Sequence, residues 1–156
     1  MLYISLTMIK DKVDLFIKAC RSMGLRITPQ RVAVYEVLLS RDDHPTAEEV
    51  YNEVKKRYPF VSLATVYRTI ETLEQLNLVK RVAYWGNSVR YDANIQEHHH
   101  LICTKCGTIK DVSFDFGLNL PEKLYGYKVE GYSVHIYGVC PACQQKESLR
   151  STHQKN

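Results

Sequence analysis

The sequence predicts an α+β chain in two parts: a helical amino-terminal domain that closes with a small hairpin, then a small α/β domain tied together by a metal ion. Two observations carry this. Apolar residues recur at helical spacing from Val13 to Leu76 and then shift to the period of strands. The second half holds Cys103-x2-Cys106 and Cys140-x2-Cys143, just after the run His98-His99-His100. A chain of 156 residues that is 45% hydrophobic and 24% charged has the composition of a folded protein, with length for one ordinary domain or two small ones.

The first half is punctuated clearly. Val13, Phe16, Ile17 and Cys20 make one helical stripe, with Gly24 placed to end it. Thr28-Pro29 restarts the chain as an N-cap followed by proline at the first helical position, and Val32, Tyr35, Leu38 and Leu39 supply the next stripe. Thr46-Ala47-Glu48-Glu49 fits a capping box for a third helix with Val50 and Val54 inward. After Tyr58-Pro59, Ser62 caps a fourth helix that buries Leu63, Val66, Ile70, Leu73 and Leu76. That leaves Thr65, Arg68, Glu71, Thr72 and Gln75 outward, with Tyr67 near the boundary. Val79 to Tyr84 and Val89 to Tyr91 read as strands joined by a Trp85-Gly86-Asn87-Ser88 turn. Helices followed by a hairpin make a winged helix-turn-helix, with Ser62 to Gln75 as its recognition helix. Such a helix can enter a major groove, where Arg68 reaches a base edge or phosphate, Tyr67 the backbone or a thymine methyl, and Thr65 a phosphate. Arg81 and Arg90 in the hairpin lean the same way. The plainer reading is a helical bundle with a solvated polar face.

Residues 99 to 102 and 108 to 114 can make strands around the first cysteine pair. Leu118 to Leu124 suggests a short helix, and Tyr127 to Val139 a long strand that leads to Cys140. The expected domains are 1–93 and 98–156, with 94–97 as a hinge. Two Cys-x-x-Cys pairs separated by 33 residues can fold back onto one tetrahedral ion. Four sulfurs favour Zn2+ and leave no open position, so Cys103, Cys106, Cys140 and Cys143 read as a structural zinc site. A redox disulfide competes for either pair alone. The second domain is small enough to need the ion, and its sheet edge needs a partner that another copy would supply. Cys20 reads as core packing.

Charge is weak evidence. The formal +4 falls to roughly +2 once four thiolates around Zn2+ are counted. Residues 1 to 86 carry 13 Lys/Arg against 10 Asp/Glu. The apolar start Met1-Leu2-Tyr3-Ile4-Ser5-Leu6 is too short for a signal, and no stretch approaches a membrane span, so a cytoplasmic protein without a membrane partner is expected. Paired cysteines of odd total fit metal ligation in a reducing compartment.

A second metal site is suggested by residue chemistry. His98 and His100 share a face if extended, while His99 faces away. Asp92 and Asp111 offer oxygens, and His44 can approach from the helical half. Nitrogen and carboxylate donors suit Fe2+, Mn2+ or Zn2+. The bland alternative is a solvated histidine run beside surface acids.

The chain resembles the ferric-uptake-regulator family of metal-dependent repressors over nearly its full length. The resemblance rests on Thr28-Pro29-Gln30-Arg31, His44-Pro45-Thr46-Ala47-Glu48-Glu49-Val50-Tyr51, Ser62-Leu63-Ala64-Thr65-Val66-Tyr67-Arg68, the run from His98 through Cys103 to Gly107, and Cys140-Pro141-Ala142-Cys143. It implies a homodimeric winged-helix repressor of palindromic duplex DNA, with a dimerisation domain holding the zinc and a regulatory metal between domains. Its regulatory ligands carry over as His44, Asp92, His98, His100 and Asp111. Iron-uptake regulators of the family commonly place glutamates where this chain has Asp92 and Asp111, whereas its peroxide-sensing repressors use aspartates. The resemblance therefore leans to peroxide sensing, in which iron-catalysed oxidation strikes His44 or His98. Iron, manganese or zinc regulation without peroxide is the alternative. A further family site would draw on His99 and His135, although Glu97 stands where the iron regulators have another histidine. A metalloenzyme or a zinc-stabilised interaction module is the different-class reading; no general-base arrangement beyond the ligands favours the enzyme.

Overall fold

Three of the four amino-terminal helices begin at a side chain that satisfies their first amides. In the computed structural model, which describes residues 6–85 and 88–153, the chain divides into two units, Met1–Ile95 and Gln96–Asn156. The first holds α1 (Leu6–Ser22), α2 (Pro29–Ser40), α3 (Ala47–Arg57), α4 (Leu63–Gln75) and the hairpin β1 (Lys80–Trp85) and β2 (Ser88–Asp92). Thr28 accepts from the Arg31 amide with Pro29 at the first helical position. Thr46 and Glu49 close the capping box in both directions, at 3.2 and 2.9 Å. Ser62 accepts from the Thr65 amide at 3.1 Å. Gly24, at φ 68, turns the chain out of α1 in the left-handed region that glycine tolerates.

The apolar stripes meet in one core. Phe16, Tyr35, Leu38, Leu39, Val50, Val54, Val66, Ile70 and Leu73 are essentially fully buried. Each contributes roughly 1.5–3 kcal/mol of burial, so this unit has a hydrophobic reason to fold without a metal. Phe16 meets Tyr35 edge to face, with ring centroids 5.4 Å apart. Cys20 is buried in the same cluster, and burial pushes its thiol up.

Thr72 corrects the expected face of α4: it is buried, as is Thr69. Both hydroxyls donate to the carbonyl four residues back, Thr69 to Thr65 and Thr72 to Arg68, and this bond makes a threonine acceptable inside. Leu63 and Leu76 are only partly buried. The turn expected at residues 85–88 is shorter, since Trp85 and Ser88 pair within the hairpin; Gly86 and Asn87 lie outside the described residues.

The second unit holds β3 (His99–Cys103), β4 (Ile109–Val112), β5 (Lys123–Leu124), β6 (Tyr127–Lys128), β7 (His135–Gly138) and α5 (Pro141–His153). Its main sheet has the order β4-β3-β7, with β3 antiparallel to β4 and parallel to β7. The helix expected over residues 118–124 is absent: the segment is irregular and ends in β5. Pro121 lacks the amide a helix interior needs. The long strand expected over 127–139 is broken into β6 and β7 by an irregular stretch around Gly131. A β5–β6 hairpin appears instead, turned by Tyr125 and Gly126 at φ 48 and 85, the paired positive angles that a two-residue hairpin favours. Helix α5 was not expected, although Pro141 at its first position is a start signal. Among the described residues, only Ile102, Cys103 and Ile109 are buried apolar side chains here. Hydrophobic burial within this unit is thin, and metal ligation carries correspondingly more weight. Among the described residues no helix is long and apolar enough to cross a membrane.

Candidate metal centres and nucleic-acid interface

Cys103 closes β3, Cys106 stands in the turn that follows, and Cys140 and Cys143 flank the start of α5. The turn is drawn tight by the Gly107 amide donating to the Cys103 carbonyl at 2.9 Å, and Gly107 adopts φ 71. Thr104 donates its amide to the Gly138 carbonyl at 2.7 Å, which brings the end of β7 and hence Cys140 alongside. All four sulfurs lie within 4.8 Å of one another. The Cys106 and Cys140 sulfurs are 3.7 Å apart, against about 3.8 Å for two vertices of a tetrahedron with ~2.3 Å zinc–sulfur bonds. Every cysteine is a free thiol.

The electrostatics fit a cation. The amides of Cys140 and Lys105 donate to the Cys103 sulfur at 3.3 and 3.4 Å. Hydrogen bonds from this backbone, that of Cys140 foremost, draw Cys103 down to about 6. Cys143 is pushed the other way, to about 12, by its bond with Cys140 and the neighbouring sulfurs. Four thiols this close cannot all ionise alone; a divalent cation removes the conflict. The cluster is a metal site of the structural-zinc type, closed by four sulfurs.

The histidines and aspartates form sets of different chemistry. In the carboxy-terminal unit, His98 Nε2 is 3.4 Å and His100 Nε2 3.7 Å from the same oxygen, Asp111 Oδ1. The register produces this: His100 stands opposite Asp111 across β3 and β4, and the His98 ring lies 4.5 Å from that of His100. His98 Nδ1 bonds the Gln96 carbonyl at 2.8 Å. A carbonyl can only accept, so Nδ1 donates to it, and this bond turns the Nε2 edge of the ring towards the Asp111 carboxylate. Imidazole nitrogens and a carboxylate oxygen gathered at these distances suit a cation between them. Donors bonded at ~2.1 Å would stand about 3.0–3.4 Å apart around one ion. Neutral imidazole with its other nitrogen held by a carbonyl is how proteins prepare a ligating histidine.

In the amino-terminal unit, His44 and Asp92 are both buried, with Nε2 and Oδ2 3.6 Å apart. Asp92 also accepts the Asn94 amide through Oδ1 at 2.7 Å, which fixes its carboxylate. His44 adopts φ 54, a left-handed conformation that costs an ordinary residue roughly 1–2 kcal/mol. Imidazole nitrogen and carboxylate oxygen suit Fe2+, Mn2+ or Zn2+, so the chain carries sulfur and His/Asp metal sites of distinct chemistry.

His99 and His135 fall on opposite sides of the sheet. His135 pairs in register with His100 and meets its ring, at 5.5 Å between centroids. His99 points away, between Phe116 and Tyr132, and its Nδ1 accepts the Val134 amide.

On α4, Arg68 is exposed and Tyr67 is 39% exposed. Thr65 is half-buried, with its hydroxyl 2.9 Å from the capping Ser62 hydroxyl. The two hairpin arginines are engaged within the unit. Arg81 forks onto Glu74 at 2.6 and 3.0 Å, and Arg90 donates to the His44 carbonyl at 2.9 Å. The latter contact was invisible in the sequence, because 46 residues separate its partners.

The model of the ferric uptake regulator family matches residues 22–137. A peroxide-responsive repressor of Staphylococcus aureus is 36% identical over 142 residues, 88% of this chain and 95% of that protein. Its Staphylococcus epidermidis counterpart is 35% identical over 141 residues, 88% of this chain and 94% of that protein. Among solved structures, the Campylobacter jejuni peroxide stress regulator aligns at a TM-score of 0.62 and 36% identity, covering 84% of this chain and 98% of that one. The Helicobacter pylori ferric uptake regulator shares the fold at a TM-score of 0.71 and 24% identity, over 87% of this chain and 93% of that one.

Proposed function

This chain belongs to the ferric uptake regulator family, and from that premise we propose that it is a homodimeric, metal-dependent repressor that binds palindromic duplex DNA and releases it when hydrogen peroxide oxidises His44 or His98. It is a regulator and not an enzyme. The observation that carries the peroxide reading is the pair of aspartates, Asp92 beside His44 and Asp111 beside His98 and His100. They stand where the resemblance separates peroxide sensors from iron-uptake regulators. The relatives named peroxide-responsive repressors support the same choice.

In this reading His44, Asp92, His98, His100 and Asp111 hold one Fe2+ or Mn2+, with Zn2+ as the alternative ion, while the four cysteines hold Zn2+. Bound Fe2+ supplies the redox chemistry that activates peroxide, and Mn2+ does so far less. His44 and the aspartate beside it belong to the DNA-binding unit and the other three ligands to the dimerisation unit, so shared ligation sets the angle between units. In a dimer that angle fixes the spacing of two α4 helices against successive major grooves. Oxygen added to the His44 or His98 ring spoils one donor and releases the angle. Arg68, Tyr67 and Thr65 supply the DNA contacts. A second copy is the natural cover for the carboxy-terminal unit, whose Leu101, Phe114 and Tyr137 are exposed over a thin core. The cytoplasm is the compartment of action.

The test compares Fe2+ and Mn2+ forms of the zinc-loaded protein on operator duplex. Peroxide should abolish binding of the Fe2+ form and add about 16 Da, one oxygen, to a peptide holding His44 or His98, before any cysteine is oxidised. The Mn2+ form should keep its affinity. Equal sensitivity of the two forms would reject peroxide sensing in favour of plain iron or manganese regulation.

A further inference from the structure

His44 is a buried residue in a left-handed conformation, 2% exposed at φ 54, and its loop is held by the hairpin. The Arg90 guanidinium donates Nη1 to the His44 carbonyl at 2.9 Å. One residue along, the Tyr91 amide donates to the Pro45 carbonyl at 3.1 Å, and Thr46 forms an antiparallel bridge with Arg90. The loop before α3 is therefore stitched to β2 as a short extra strand. Glu49 completes the arrangement: its Oε2 accepts the Thr46 amide at 2.9 Å and stands 3.6 Å from Arg90 Nη1 and 3.7 Å from Arg41 Nη2. Two residues after Arg90, the same strand delivers Asp92, 3.6 Å from the His44 imidazole.

Arg90 is thus turned inward, its side chain 19% exposed, and its principal bond goes to the backbone of a residue that carries a ligand. We propose that Arg90 is a positioning residue for the regulatory metal: by holding the His44 carbonyl it fixes the strained backbone that aims the imidazole, and it makes the hairpin and the ligand pair one mechanical piece. The inference rests on the regulatory role given above to His44 and Asp92. Coupling of this kind is reciprocal, so whatever orders the hairpin, including DNA along its edge, tightens the hold on metal by the same factor.

The experiment measures Mn2+ affinity of the zinc-loaded protein without DNA, by the loss of the free-ion paramagnetic resonance signal, for wild type, Arg90→Ala, Arg90→Lys and His44→Ala. Arg90→Ala should weaken Mn2+ binding about 10- to 100-fold, the usual range for losing a group that orients a ligand. Zinc content and helical circular dichroism should stay unchanged. Arg90→Lys, which can still donate to the carbonyl, should recover part of the loss. Adding Arg90→Ala to His44→Ala should cost nothing further, because the residue it positions is already gone. At saturating Mn2+, Arg90→Ala should bind operator DNA within a few-fold of wild type. Wild-type Mn2+ affinity in Arg90→Ala, alongside weakened affinity in His44→Ala, would overturn this inference alone. Unchanged affinity in His44→Ala would overturn the regulatory-site reading and this inference with it. DNA binding that saturating Mn2+ fails to restore would make Arg90 a DNA contact instead. If Arg90→Ala loses its circular dichroism signal, the comparison passes to Arg90→Met, which keeps most of the side-chain length without a donor, and a wild-type Mn2+ affinity there counts against the role.

Discussion

The Tyr67 hydroxyl donates to a Glu48 carboxylate oxygen across 2.6 Å, tying the outer face of α4 to the first turn of α3. That carboxylate pushes the phenol up to about 12, and the phenol holds Glu48 below its usual range. Tyr67 is therefore held as a proton donor to an anion, and in the proposed DNA complex a phosphate would take the place of Glu48. Engaging DNA through this hydroxyl means exchanging one anionic acceptor for another.

Glu48→Ala should free Tyr67 and remove a negative charge from the DNA-facing side, tightening operator binding by about 1 kcal/mol, roughly fivefold. Tyr67→Phe should weaken binding by a similar amount. A small loss of thermal stability in Glu48→Ala is expected as well, ~0.3–1 kcal/mol, because an acid leaves the first turn of a helix. Unchanged affinity in both variants would remove Tyr67 from the interface.

The more specific task is the one proposed for Arg68, which is exposed on α4. Arg68→Ala should cost ~1–3 kcal/mol in binding the operator and relax preference at the base pair it reads. Arg68→Lys keeps the charge without the planar fork, so it should restore salt-dependent affinity more than sequence preference. Operator selection in the three proteins across a salt series separates the two contributions.

For the sulfur site, Cys106→Ser should lower zinc content and disrupt dimer assembly together, because little apolar burial is available to replace the ion. Zinc affinity should fall as pH falls, since protons compete for the sulfurs. Elemental analysis with sedimentation checks both; full zinc and an intact dimer in the variant would refute the assignment.

His98→Ala should do the opposite. One imidazole disappears from beside Asp111 while the four sulfurs keep their geometry, so zinc is retained and Mn2+-activated DNA binding is lost. Loss of both metals would mean that the ligands have been divided wrongly between the sites.

Much of this was legible in the sequence because the determinants are local. A cap is a bargain between residues three apart, so Thr28, Thr46 and Ser62 marked their helices without knowledge of the fold. Ligand type and spacing likewise announced the sulfur cluster, and strand alternation separated His98 and His100 from His99. What escaped depends on long-range or competing effects. Thr72 is polar by composition, yet its back-bond to Arg68 lets it be buried. The run from Tyr127 to Val139 is β-prone throughout, but pairing with β3 recruits only His135–Gly138. Arg90 read as a cation for DNA, and nothing near it in sequence pointed to the carbonyl it holds.

Strand β3 has an implication for the order of assembly. It carries His100 at its second position and Cys103 at its last, and β4 pairs Asp111 opposite the former while the Cys103 amide bonds the Thr108 carbonyl. The same five residues thus anchor the sulfur cluster and space the imidazoles against their carboxylate. Zinc ligation at one end would hold in place the register that the other end requires, so sequential loading is the expected outcome: thiolates first, imidazoles afterwards. A mild chelator should remove the second ion reversibly, whereas stripping the first should erase both sites, and restoring function should then require zinc before manganese or iron.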